Sequence, residues 1–179
     1  MVFNFPGYLA AVAFAVLAAA CGSPHATPPA DSTATFVAFP ATFQDYTAWT
    51  HFHSEGPPAE GFSQDVLGPR EQYINHVPPH GLSQFPVGTV IVEKRDSGSM
   101  KTFAGVKRGG GFNIDGATNW EWFELATDPQ SGAVSIVWRG TNGPGLTYGG
   151  GSTSCNDCHK QCGAENDFVC SPYLQLASF

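Results

Sequence analysis

The chain has 179 residues, enough for one domain with a core of its own, and its 15 acidic against 8 basic side chains leave a formal net charge of −7. A chain so poor in Lys and Arg is a poor candidate for nucleic-acid binding, which needs clustered cations against the phosphates. The acidic surface serves solubility first and would also suit a basic partner, such as a basic electron carrier.

The N-terminus reads as an export signal rather than as part of the fold. Leu9 to Ala20 (LAAVAFAVLAAA) is an unbroken apolar run, too short to span a bilayer comfortably and of the right length for the h-region of a signal peptide. Ala18-Ala19-Ala20-Cys21 then resembles a bacterial lipobox, although Leu17 stands one place early and the preceding MVFNFPGY has no Lys or Arg. The expectation is a signal peptide over 1–20, cleaved before Cys21, lipidation of Cys21, and a periplasmic lipoprotein held at the membrane by that anchor. Residues 21–41 continue after Cys21 as GSPHATPPADSTAT, with little to bury, and read as a flexible tether. The folded domain is expected over 42–179.

Thr42-Phe43-Gln44-Asp45 has the form of a capping box, and Phe43, Tyr46, Trp49 and Phe52 follow at intervals of three. This predicts a helix with an aromatic stripe, ending near Glu55-Gly56-Pro57-Pro58. Beyond residue 70 the pattern changes to short strands: Glu71 to His76, Thr89 to Lys94, Ser99 to Lys107, Asn119 to Ala126 and Ala133 to Arg139. Arg95-Asp96-Ser97-Gly98 and Asp128-Pro129-Gln130-Ser131-Gly132 are turn material between them. In the fourth strand Trp120, Trp122 and Glu124 alternate with Glu121, Phe123 and Leu125. Hairpin-length connections imply an α+β, mainly β fold: an antiparallel sheet of about five strands with a few flanking helices. A glycine-rich stretch, Gly140 to Gly151, leads into the C-terminal segment.

That segment carries the chemistry. Cys155-Asn156-Asp157-Cys158-His159 is a C-x-x-C-H motif, the attachment pattern of a c-type haem. Two thiols separated by two residues match the two vinyl groups with which they form thioethers, and the next residue brings an imidazole to the iron. The motif therefore points to one covalent haem c on Cys155 and Cys158, with His159 as proximal iron ligand. A C-x-x-C pair alone also serves zinc or a redox dithiol. Cys162 and Cys170 remain, close together in an oxidising compartment, and a disulfide between them is expected. Closing so short a loop contributes roughly 2–3 kcal/mol in the loop-entropy model. For a sixth ligand the candidates are Met100, the one internal methionine, and His25, His51, His53, His76 and His80, each more readily a surface or loop residue. A distal side walled by Phe and Trp suits the aromatic-rich composition better.

With the motif near the C-terminus, after a β-rich domain, the order of segments resembles the cytochrome P-460 family, which includes the cytochromes c′-beta. The matching stretches are Tyr73-Ile74-Asn75, Phe85 to Val92, Val106-Lys107-Arg108, Asn119 to Phe123, Cys155 to His159 and Asp167-Phe168-Val169. The resemblance implies an antiparallel sheet with a few helices, a five-coordinate haem and a homodimer. Family members bind nitric oxide and similar gases, or oxidise hydroxylamine and nitric oxide. The oxidising members carry a lysine bonded to the haem edge. In the strand that matches, Glu93 stands in that place and Lys94 follows it, facing the other way. Lys101 and Lys107 are weaker candidates, and all three lysines otherwise read as solvated. Three functions follow as expectations: binding of nitric oxide or a similar nitrogen-oxide ligand; oxidation of hydroxylamine or nitric oxide, with Glu93, Glu121 or Glu124 as the proton acceptor; and single-haem electron transfer to a redox partner protein.

Overall fold

The computed structural model describes residues 33–55, 69–95, 101–141 and 155–179, with Met1. The signal peptide, Cys21, His25, Met100 and most of the glycine-rich stretch lie outside the described residues. Among the described residues no helix is long and apolar enough to cross a membrane.

The architecture is an antiparallel sheet of six strands in simple meander order: β1 (Thr50–Ser54), β2 (Arg70–Ile74), β3 (Val90–Arg95), β4 (Thr102–Lys107), β5 (Trp120–Thr127) and β6 (Val134–Gly140). One α-helix, α1 (Cys155–Gln161), follows the sheet, and single turns of 3-10 helix flank it on both sides in sequence. The fold is α+β and mainly β, as expected, with β2 to β6 within a few residues of the expected strands.

The sixth strand comes from the segment expected to be helical. Residues 40–54 form two 3-10 turns, Pro40–Phe43 and Tyr46–Ala48, and then β1. Aromatics repeating at intervals of three fit the three-residue turn of a 3-10 helix, whereas the α-helix needs 3.6. The Thr42 hydroxyl accepts the Phe39 N–H at 3.1 Å, closing a turn ahead of Pro40 where a capping box was expected. Trp49 is extended, and Thr50 to Ser54 pairs residue for residue with Ile74 to Arg70. Packing begins ahead of Thr42: the Phe36 N–H bonds the Arg108 carbonyl at 2.8 Å, and Ala38 is fully buried.

Alternation along the strands divides the core in two. On the first face Val90, Val92, Val106, Phe123, Leu125 and Val134 pack against Ala38, Phe43 and Tyr46. On the second face Ile74, Trp120 and Trp122 pack against Phe85, Val169, Leu174 and Leu176, so the chain after α1 is the lid of that core. β5 is buried on both faces, with Trp120, Trp122 and Phe123 at 5% exposure or less. Gly105 lies opposite Trp122 in the β4–β5 register, and a Cβ there would come within 2.8 Å of the indole. The absence of a side chain lets the Trp122 ring lie across β4.

Candidate functional site

Cys155, Cys158 and His159 all lie on α1, at positions i, i+3 and i+4. These share one face of a helix. Cys155 packs against the second-face core. Both of its fellow thiols after the motif are taken up by each other: Cys162 and Cys170 form the expected disulfide, with Cα atoms 5.0 Å apart. Cys155 and Cys158 are not joined in a disulfide.

The residue between the cysteines fastens α1 to the sheet. Asn156 is buried, and its Oδ1 accepts the Trp122 indole N–H at 3.0 Å and the Asn113 amide at 2.7 Å. Its Nδ2 donates back to Asn113 Oδ1 at 2.7 Å. The variable positions of the motif hold no haem chemistry, so reading the motif gave no reason to single out Asn156. Only its proximity to Trp122, 34 residues away in sequence, reveals its part.

The His159 ring lies against the Trp122 ring, centroids 3.9 Å apart and planes 22° from parallel. Its Nδ1 lies 2.8 Å from the Phe168 carbonyl oxygen. A carbonyl only accepts, so Nδ1 carries the proton and the lone pair is on Nε2. Burial pushes the imidazole below its ordinary pKa, opposed by the Phe168 bond and the charge of Glu93. His159 is thus neutral near pH 7, in the form that coordinates a metal. Burial, and secondarily Glu93, pushes the Cys158 thiol up, while Arg95 pulls it down. A reactive redox dithiol requires the opposite shift.

The three candidate carboxylates separate cleanly. Glu121 belongs to the first face, 3% exposed, held by Arg139 at 2.8 Å and Arg108 at 3.1 Å. Glu124 pairs with Lys101 at 3.0 Å. Glu93 alone acts electrostatically on both Cys158 and His159. It lies among Gln72 at 3.2 Å, Arg95 at 3.4 Å and Arg70 at 3.5 Å. Lys94, its neighbour on β3, is exposed.

Lys107 corrects the expectation of a solvated lysine. Its side chain is 2% exposed, and its ammonium meets Asp167, equally buried, at 2.6 Å. It reaches the interior because it lies on the second face at the end of β4, under the residues that follow α1. Of the histidines, His51 stands 5.8 Å from the Tyr73 ring, which packs on the first face. His53 pairs with Glu71 at 2.5 Å, and His76 and His80 are exposed between β2 and β3. Among the described residues no group of three or more His, Cys, Asp or Glu is arranged to hold a bare metal ion. The donors present on α1 fit a haem c: two thiols outside any disulfide and a neutral imidazole with its lone pair on Nε2, all on one helical face. No protein-family model, curated protein or solved structure matches the chain.

Proposed function

We propose that this is an exported, lipid-anchored haem c protein of the cytochrome P-460 type that binds nitric oxide or a similar small nitrogen-oxide ligand. The observation that carries the reading is the bond from His159 Nδ1 to the Phe168 carbonyl, made on the helix that carries the two cysteines of the motif, while Cys162 and Cys170 are paired with each other. In this reading Cys155 and Cys158 hold the haem by thioethers and His159 Nε2 holds its iron; the haem supplies the site for the small ligand. Trp122 keeps the imidazole in one orientation, and Asn156 keeps α1 on β5. His51 and His53 belong to the edge strand and His51 to the first face, away from α1, which favours a sixth position open to an added ligand.

Oxidation of hydroxylamine or nitric oxide is the second reading, and Glu93 is its best proton acceptor because its charge reaches both Cys158 and His159. The lysine–haem cross-link of that reading finds less support. Lys107 is held by Asp167 and Lys101 by Glu124, and Lys94 points away from the face of Glu93.

Absorbance spectra of the ferrous protein with and without nitric oxide test the proposal. The expected result is a high-spin ferrous spectrum that changes on adding nitric oxide. A six-coordinate low-spin spectrum without added ligand would overturn it in favour of electron transfer, and a strongly red-shifted Soret band would favour the cross-linked enzyme. Mass spectrometry of the haem peptide checks attachment at Cys155 and Cys158; haem released by acid-acetone extraction would refute it.

A further inference from the structure

The segment after α1 holds an unusual stretch of backbone. Asp167 and Phe168 are consecutive non-glycine residues with positive φ, 49° and 65°. Such a conformation disfavours side chains, most of all a bulky one, and persists where surrounding contacts over-determine it. Those contacts converge on Asp167. One carboxylate oxygen takes the Lys107 ammonium at 2.6 Å and the other the Phe85 N–H at 2.9 Å. The Asp167 carbonyl accepts the Trp120 indole N–H at 2.7 Å. Lys107 also donates to the Thr118 carbonyl at 3.3 Å and lies 5.3 Å from the centre of the Trp120 ring. The Phe168 N–H bonds the Gly163 carbonyl at 2.8 Å. What this arrangement presents outward is the Phe168 carbonyl, the acceptor for His159.

We infer that Lys107 and Asp167 are positioning residues for His159: the buried ion pair holds residues 167–168 in the left-handed conformation that aims the Phe168 carbonyl at Nδ1. An ion pair this deeply buried is a weak source of stability, because desolvating both charges offsets their attraction. Holding one backbone geometry is the use these contacts point to. The consequence lies in the imidazole. With its Nδ1 proton shared to the carbonyl, the ring keeps the tautomer that leaves Nε2 free and becomes a stronger electron donor there. The inference rests on the haem reading for its meaning at iron, while the tautomer itself belongs to the chain.

Three measurements test it on the full chain with Lys107→Met combined with Asp167→Asn, which removes both charges and keeps an acceptor for the Phe85 N–H. In chain prepared without haem, nitrogen NMR of the His159 ring should shift from the Nδ1–H tautomer toward the Nε2–H tautomer. In the haem-loaded protein the reduction potential should rise and the iron–histidine stretching frequency fall. A first-face variant, Val134→Ala, serves as the control for plain destabilisation and should leave all three at wild-type values. If the double variant does not fold, Lys107→Met alone is used, since Asp167 can then become neutral by binding a proton. A folded variant with wild-type tautomer and potential would overturn the inference. Failure to incorporate haem c would instead overturn the functional reading, and the haem-free tautomer would still decide the part played by Lys107 and Asp167.

Discussion

The two faces of the sheet are closed by opposite ends of the described chain, and they are closed differently. The first face is covered by short 3-10 turns whose aromatics, Phe43 and Tyr46, fill an aliphatic surface. Among the described residues its buried carboxylate, Glu121, is held by two arginines. The second face is covered by the chain from α1 onward, and three of its contacts bear on His159: Trp122 against its ring, Asn156 fastening its helix, Phe168 on its Nδ1. One face is packed to make a core, the other to hold a side chain in one orientation. Polar groups are buried on both faces. On the second, Asn156 and Asp167 each gather several hydrogen-bond partners beside His159, and such groups can specify a geometry where apolar packing alone tolerates several.

Adjacent residues on β5 offer the largest break in this comparison. Trp122 and Phe123 are both buried and face opposite ways. Replacing either with alanine should cost about 3–5 kcal/mol in denaturant unfolding. Trp122→Ala should also alter the visible spectrum of the haem-loaded protein, and Phe123→Ala should leave it unchanged. Equal spectral effects would remove the distinction between the faces. Next in size is the disulfide: Cys162→Ala with Cys170→Ala should lower stability by roughly 2–3 kcal/mol. Hydrogen exchange should show faster local opening over residues 163–170, with the amides of β3 protected as before. The smallest effect belongs to the exposed edge strand. Glu71, through its hydrogen bond and its charge, and then Glu55 raise the His53 pKa above its ordinary 6.5. Protonated His53 therefore contributes stability that is fully present below the unfolded-state value and lost as pH rises through the higher folded-state value. The melting-temperature difference between wild type and His53→Asn should be largest in acid and vanish above neutrality. A pH-independent difference would mean that the ion pair contributes nothing.

Much of the fold was legible because the signals were local. Strands β2 to β6 showed as short runs of β-branched and aromatic residues between turn sequences. Asp128 is the clearest of these turns: its carboxylate accepts the N–H groups of Gln130 and Ser131 at 2.9 and 2.7 Å. β1 was missed because three-residue spacing was read as an α-helix, and pairing with β2 overrode that local pattern. At the candidate site, the motif of Cys155, Cys158 and His159 was readable from its spacing, and the pairing of Cys162 with Cys170 from their closeness in a chain read as exported. Asn156, Trp122, Phe168 and the Lys107–Asp167 pair were not.

The sequence by itself determined the class of sheet, the disulfide and the C-x-x-C-H spacing on which the haem proposal rests, because periodicity and short spacings are written along the chain. Only the tertiary structure decided which of Glu93, Glu121 and Glu124 lies near His159, that Lys107 is buried, and which carbonyl takes the Nδ1 proton. Those outcomes depend on which strand face each residue occupies and on what the chain after α1 covers. The chain after β6 is placed there by contacts with residues far away in sequence, such as Asn156 with Trp122, Asp167 with Lys107 and Asp167 with Phe85, 34, 60 and 82 residues apart, and no local pattern encodes such contacts.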